Sequence, residues 1–193
     1  MSAVGISVPP EGVRQLARYG ALLEKWNAKI ALTTVTEPRA FAERHVLDSY
    51  LVTLDPMPGE TLLDAGTGAG LPGIVVATLR PDVQVTMVER VSKKIAFVRA
   101  AIDLLALDNA RVLRQDLTAV PAGSFDRAVS RALMSPTEWL SAARASVRPG
   151  GAIGVMVARR EELPADPTLQ LEAVRELVLP SDRAGRIAAW FRT

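Results

Sequence analysis

Residues 62–73 read LLDAGTGAGLPG, and this stretch decides the fold. Leu62 and Leu63 belong to an apolar run, TLLDA (61–65), that predicts a short strand with an acid, Asp64, next to its end. Four glycines and a proline then fall within the eight residues 66–73, and Leu71 to Leu79 supply the helix that follows. Strand, bare turn and helix in that order open a unit of an α/β sheet, whose ligand sits beyond the carboxyl end of the strand. Gly66, Gly68 and Gly70 remove side chains where the backbone must approach a ligand closely or take positive φ.

Outward from this turn the pattern repeats. QVTMVE (84–89), ARVL (110–113), FDRAVS (125–130) and AIGVMVA (152–158) read as further strands, and helical stretches separate most of them. This alternation predicts a parallel sheet with helices on both faces. EAVRELVL (172–179) and RIAAWFR (186–192) follow with little between them, which predicts an antiparallel last pair and seven strands in all. Upstream, Leu16, Tyr19, Leu23, Trp26 and Ile30 fall within roughly 80° of a helical wheel. A second helix is expected from about Pro38 to Leu54, stopped by Pro56 and Pro58. The expected organisation is a helical extension over residues 1–58 packed on a Rossmann-like α/β core over 59–193.

The chain has 193 residues, about half of them apolar, enough for one compact unit with its own core. It has no cysteine, which rules out disulfides, thiolate metal sites and cysteine nucleophiles together. The first residues, MSAVGISVPPEGVRQ, lack a cationic stretch ahead of an apolar run, and the most apolar window carries Asp64 and four glycines. The expectation is a cytoplasmic protein with no membrane span, and nothing in the sequence demands more than a monomer. A net charge of +2 permits an anionic partner, and basic residues gather at Arg90, Lys93, Lys94 and Arg99.

Three ligand classes use glycine turns of this kind. A nucleoside triphosphate loop needs lysine after its last glycine, and Ile74 follows Gly73 here. A dinucleotide fingerprint, G-x-G-x-x-G, is present at Gly68, Gly70 and Gly73, with Glu89 at a fitting distance to take ribose hydroxyls. The third class is S-adenosylmethionine, which carries a positive sulfonium and an amino group, so an acid at the mouth of the turn is useful. Asp64 gives D-x-G-x-G-x-G, the first motif of class I methyltransferases; Glu89 ends the second strand, and Asp116, Leu117 and Thr118 follow the third, where the adenine edge would lie.

The chain also resembles a known family. DAGTGAGLPGIVVA, VERVSKKIAFVR, SRA (130–132), YGALLEKWNAKIALT (19–33) and HVLDSY (45–50) are similar to the glucose-inhibited division protein B family, whose members methylate N7 of a guanine in 16S ribosomal RNA. The similarity runs over roughly residues 15 to 155. It implies the class I S-adenosylmethionine-dependent fold, with 16S RNA or the small ribosomal subunit as partner. It further implies that Gly66 and Leu71 touch the cofactor, that Leu117 and Thr118 flank the adenine, and that Arg131 of SRA lies in the active site. Lys93 and Lys94 match the family's basic pair, His45 and Asp48 its HxxDS segment, and Asn27 its WN. The chain departs from the family at VARR (157–160), where a lysine and a glycine are usual, and in a short C-terminal region.

The residue inventory suits that acceptor. Guanine N7 has a lone pair and no proton, so its methylation needs alignment but no general base. A chain with no cysteine and one histidine matches this; carbon-5 pyrimidine methylation, which needs a cysteine nucleophile, does not. Arginine is the expected reader of guanine, but one pressed on N7 would oppose the positive charge of the product. Arg131 is therefore expected to position the base or the cofactor carboxylate. Arg90, Lys93 and Lys94 are read as phosphate contacts, against a merely solvated helix face. His45 is read either as pairing with Asp48 one turn on or as touching RNA. Asn27 is expected to be a satisfied amide, and Trp26, Trp139 and Trp190 to be core. No metal site is expected. Two other readings stay open, a noncatalytic RNA-binding protein with this fold and a nicotinamide-dependent oxidoreductase.

Overall fold

The computed structural model describes residues 8–35, 37–55 and 58–193, so Pro56 lies outside the described residues. Helix α1 (Pro10–Asn27) is followed by a continuous helical stretch made of α2 (Pro38–Phe41), a π-helical segment (Ala42–Leu47), α3 (Asp48–Tyr50) and a 3-10 turn (Leu51–Leu54). The core then runs β1 (Thr61–Ala65), α4 (Gly73–Leu79), β2 (Gln84–Glu89), α5 (Ser92–Leu105), β3 (Ala110–Arg114), β4 (Phe125–Ser130), α6 (Pro136–Ala143), β5 (Val147–Val157), β6 (Gln170–Val178) and β7 (Gly185–Arg192). The seven strands form one sheet in the order β3-β2-β1-β4-β5-β7-β6. Strands β1 to β5 are parallel, and β7 runs antiparallel between β5 and β6. The expected seven-stranded α/β architecture with an antiparallel end is therefore the one observed.

Strand order reverses at β1 and β4, which creates the crevice where their loops diverge. The β1–α4 loop is thereby set opposite the residues that leave β4. On one face Leu62, Val85, Met87 and Val112 meet Ile74, Val75, Ile95, Val98 and Leu105 of α4 and α5, and Leu16, Tyr19 and Leu23 of α1 lie against them. On the other face α6 packs on β4 and β5, and Trp139 Nε1 donates to the Gly154 carbonyl at 2.8 Å. Only a 3-10 turn (Leu117–Ala119) joins β3 to β4, so helical cover on this face is confined to the α6 side. Trp139 and Trp190 are buried, and Trp26 packs on the core through Phe97, as the sequence suggested.

Two expectations need correcting. Ile30 lies beyond the end of α1: the helix stops at Asn27, whose side chain draws the chain into a loop, although Ile30 still packs against the core. The second helical stretch also widens at residues 42–47, and with one extra residue per turn the i,i+3 alignment of an α-helix is lost. His45 and Asp48 consequently do not pair with each other, and each contacts Arg131 instead.

Candidate functional site

The β1–α4 loop is held by Asp64, which is fully buried at the end of β1. One carboxylate oxygen accepts from the Thr67 hydroxyl and from the Gly73 N–H at 2.8 Å, tying both ends of the turn to one atom. The other oxygen, Oδ1, is buried with no hydrogen-bond partner. Burial pushes the Asp64 carboxyl up to about 6, against the hydrogen bonds from Thr67 and Gly73 and the charge of Arg131. An unpaired buried carboxylate oxygen is costly, and a cationic donor such as the amino group of S-adenosylmethionine relieves that cost. The residues present thus fit that cofactor, and Asp64 both organises the loop and retains an oxygen for a ligand.

The turn itself is fixed by its backbone. Gly66 and Thr67 donate to the Val88 carbonyl at 2.9 and 3.1 Å. Gly66 holds φ at 65°, a left-handed conformation that favours glycine, and a Cβ there would stand 2.6 Å from Leu133 Cδ1, which would have to move aside. Gly70, at φ 87°, presses equally close to Ile74. Gly68 directs its N–H to Glu89 Oε2 at 3.1 Å, while Glu89 Oε1 accepts from Arg90 N and Val91 N at 2.8 and 2.9 Å. Glu89 therefore stitches the end of β2 to the glycine loop. Leu71 is buried in the core, and its N–H donates to the Thr67 carbonyl at 3.0 Å.

Across the expected adenine edge, Asp116 accepts from the Thr118 N–H at 3.0 Å and hydroxyl at 3.1 Å, bonds that hold its carboxyl below the usual range. Its other oxygen meets Arg90 at 3.2 Å, so the structure joins a residue read as an RNA contact to one read as a cofactor contact. Leu117 is half-buried and packs on the α6-side core, and Thr118 is exposed.

Arg131 leaves β4 opposite the loop. Its Nη1 lies 3.1 Å from His45 Nδ1, 3.4 Å from the Arg44 carbonyl and 3.5 Å from Asp48 Oδ2. His45 Nδ1 lies 3.1 Å from both Arg131 Nη1 and the Arg44 carbonyl, and Nε2 lies 2.8 Å from Thr33 Oγ1, so both ring nitrogens are engaged whichever of them carries the proton. Burial and the adjacent Arg131 charge push the His45 imidazole down to about 4, which keeps it neutral near pH 7. Asn27 is the satisfied amide expected of it: its oxygen accepts from Leu32 N and Thr33 N at 2.8 and 2.9 Å, and its nitrogen donates to Thr33 O at 2.9 Å. An unbroken line of contacts therefore runs from Asn27 through Thr33 and His45 to Arg131.

Sequence reasoning missed two members of this assembly. Tyr19 donates its buried hydroxyl to the Ala69 carbonyl of the glycine loop, and burial raises its pKa so that it stays a donor. A tyrosine hydroxyl on an otherwise apolar helical face was the available signal. Leu133, which caps Gly66, follows SRA with no distinguishing pattern of its own. Lys93 and Lys94 sit in the first turn of α5, Lys93 exposed and Lys94 half-buried, and that turn contains no acid. Among the described residues no group of three or more histidine, aspartate or glutamate side chains could hold a metal ion.

The chain is 37% identical to the ribosomal RNA small subunit methyltransferase G of Anaeromyxobacter sp. (strain Fw109-5), over 98% of this chain and 93% of that protein. It is 37% identical to the protein of the same name from Myxococcus xanthus, over 96% and 86% respectively. Among solved structures it resembles an S-adenosylmethionine-dependent methyltransferase from Aquifex aeolicus, with TM-score 0.58 and 16% identity over 81% of this chain and 93% of that one. It also resembles M. jannaschii TYW2 in complex with AdoMet, with TM-score 0.61 and 13% identity over 86% and 78%. These likenesses establish the class I methyltransferase fold, and the nicotinamide and noncatalytic readings gain nothing from them. A family model described as GidB, rRNA small subunit methyltransferase G, matches residues 12–182, within which every residue of the site just described falls. The chain belongs to that family of small-subunit ribosomal RNA methyltransferases.

Proposed function

We propose that this protein transfers a methyl group from S-adenosylmethionine to N7 of a guanine in 16S ribosomal RNA. The observation that carries the acceptor assignment is the state of the single histidine. His45 is neutral, and both its ring nitrogens are engaged, by Thr33 on one side and by Arg131 and the Arg44 carbonyl on the other, so the site offers no free imidazole to remove a proton. An acceptor that already has a lone pair and no proton is the one such a site can serve.

The cofactor, when bound, supplies an electrophilic methyl group on a sulfonium. Asp64 Oδ1 takes its amino group, the Gly66–Gly70 turn lets the backbone approach it, and Glu89 with the Asp116–Thr118 corner lines its nucleoside end. Arg131 is drawn back by Asp48, the Arg44 carbonyl and His45, which offsets part of its charge and fixes its fork beside the loop. That arrangement suits donation to guanine O6 or an adjoining phosphate while keeping a full cation away from N7, where positive charge develops. Lys93 and Lys94 place two cations at the positive end of a helix, where they cost stability unless an anion faces them. RNA phosphates supply that anion. No helix among the described residues is long and apolar enough to cross a membrane. We place the protein in the cytoplasm, acting as a monomer; sedimentation at working concentration as a dimer would contradict the second point.

The test uses ribosomal RNA from a strain lacking the gene, supplied as naked RNA and as small subunits with methyl-labelled cofactor. N7-methylguanine is then mapped by reduction and strand scission. One new scission in 16S RNA is expected. Label incorporated without scission would contradict the N7 assignment, and no label on either substrate would contradict the activity.

A further inference from the structure

The β6–β7 hairpin reaches back to the segment that holds Arg131. At its turn the Ser181 N–H donates to buried Glu43 at 2.9 Å, and Asp182 pairs with Arg44 at 3.0 Å. Glu43 is also bound by Arg39 at 2.8 Å, and the bonds from Arg39 and Ser181 hold its carboxyl down at about 2, so it stays charged and keeps the turn docked. Just beyond the turn, Arg186 at the start of β7 is largely buried; its Nη1 donates to the Gly185 carbonyl at 2.6 Å and its Nε lies 3.8 Å from Asp48 Oδ1. The opposite oxygen of Asp48 faces Arg131 at 3.5 Å. One carboxylate, only 13% exposed, is thus shared by an arginine just past β4 and one on β7.

We propose that Arg186 is a positioning residue for Arg131, acting through Asp48, and that the β6–β7 hairpin is the element that sets the acceptor side of the site. The groups facing Asp48 and its neighbours are Arg131 from β4, Arg186 from β7, Arg44 and His45 from the π-helical segment, and Asp182 from the hairpin turn, itself paired with Arg44. Burial raises the Asp48 carboxyl above its usual range, and the two arginines pull it back. Without Arg186, Asp48 holds its proton to higher pH, and a protonated Asp48 no longer restrains Arg131 by charge. Arg186 thereby lowers the pH at which Asp48 takes up its proton, and ionised Asp48 keeps Arg131 in place. A second consequence concerns charge: two guanidiniums and one carboxylate, beside a neutral imidazole, leave the cluster with one net positive charge to face an anionic acceptor strand.

This inference rests on the reading of Arg131 as the acceptor-site arginine, and the test separates the two. Arg186→Gln and Arg186→Lys are made in the full chain. The Asp48 carboxyl is titrated by carbon-13 NMR, and single-turnover methyl transfer and cofactor Kd are measured beside it. For Arg186→Gln the expected result is an Asp48 titration moved to higher pH and methyl transfer slowed about tenfold or more, with cofactor Kd within about twofold. The acid limb of the rate profile should move up with it, and Arg186→Lys should restore most of the rate. An unmoved Asp48 titration, or a rate within about twofold of the parent, would overturn the proposal. So would a loss of rate tracked equally by cofactor affinity and not rescued by lysine. Should the glutamine variant fail to fold, the lysine variant decides: it should show a smaller shift of Asp48 in the same direction, and no shift would count against the proposal. If the parent itself methylates no RNA, the assigned activity fails, while the Asp48 titration still decides the coupling.

Discussion

Asp64 carries the sharpest conflict at the level of single residues. Its carboxyl, at about 6 against an ordinary 3.8, binds a proton more tightly in the folded chain than in the unfolded one. Its raised value therefore favours folding at low pH and opposes it as pH rises through the window from about 3.8 to 6; above that window the full cost, on the order of 3 kcal/mol, is present. Asp64→Asn keeps an acceptor for Gly73 and Thr67 and removes the charge. Thermal melts should show the variant more stable than the parent at pH 7.5, with the gap closing towards pH 4, while calorimetry shows cofactor Kd raised about tenfold or more. A variant less stable at pH 7.5 would mean that the carboxylate's bonds outweigh its burial. Tyr19→Phe addresses the neighbouring brace: it leaves the buried Ala69 carbonyl without its donor, a loss of about 1–3 kcal/mol. Its melting temperature and its cofactor affinity should fall together. An unchanged affinity would show that α1 supports the fold alone. The sequence displayed Asp64 through its place before three spaced glycines. It displayed Tyr19 only as one more apolar position, because hydrophobic periodicity reports which face is buried and not what a hydroxyl on that face will meet.

At the scale of elements, α5 offers a test that opposes stability to binding. Lys93 and Lys94 lie in its first turn, which contains no acid, so exchanging both for glutamate should favour the helix by about 0.3–1 kcal/mol each while weakening RNA affinity and flattening its salt dependence. Melting and salt-titrated binding on the same double variant check both halves, and an unchanged salt slope would remove these lysines from the RNA surface. The strands were the most legible elements. TLLDA, QVTMVE and FDRAVS match β1, β2 and β4 residue for residue, because fully buried parallel strands bounded by glycine, proline and charge leave little freedom in where they stop. The π-helical segment was not legible. A helical pattern over Pro38–Leu54 says nothing about one extra residue per turn at 42–47, yet that widening turns His45 and Asp48 away from each other and onto Arg131.

For the molecule as a whole, the site is assembled from segments far apart in the chain: Tyr19 from α1, His45 from the π-helical turn and Asp48 from α3, Asp64 and Glu89 from the sheet, Arg131 after β4 and Arg186 from β7. The sequence supplied most of these names one motif at a time. It could not supply their pairing, since the Arg90–Asp116 contact and the hairpin's grip on Glu43 and Arg44 depend on which loops the sheet order brings together. The assembly divides into a cofactor half built on Asp64 and an acceptor half built on Arg131, and this division is the central claim. It is tested most directly by measuring cofactor Kd and single-turnover methyl transfer side by side on Arg131→Ala. Kd should stay within about twofold of the parent and the rate should fall by about a hundredfold. A rate that survives, or a cofactor affinity that collapses with it, would contradict the division.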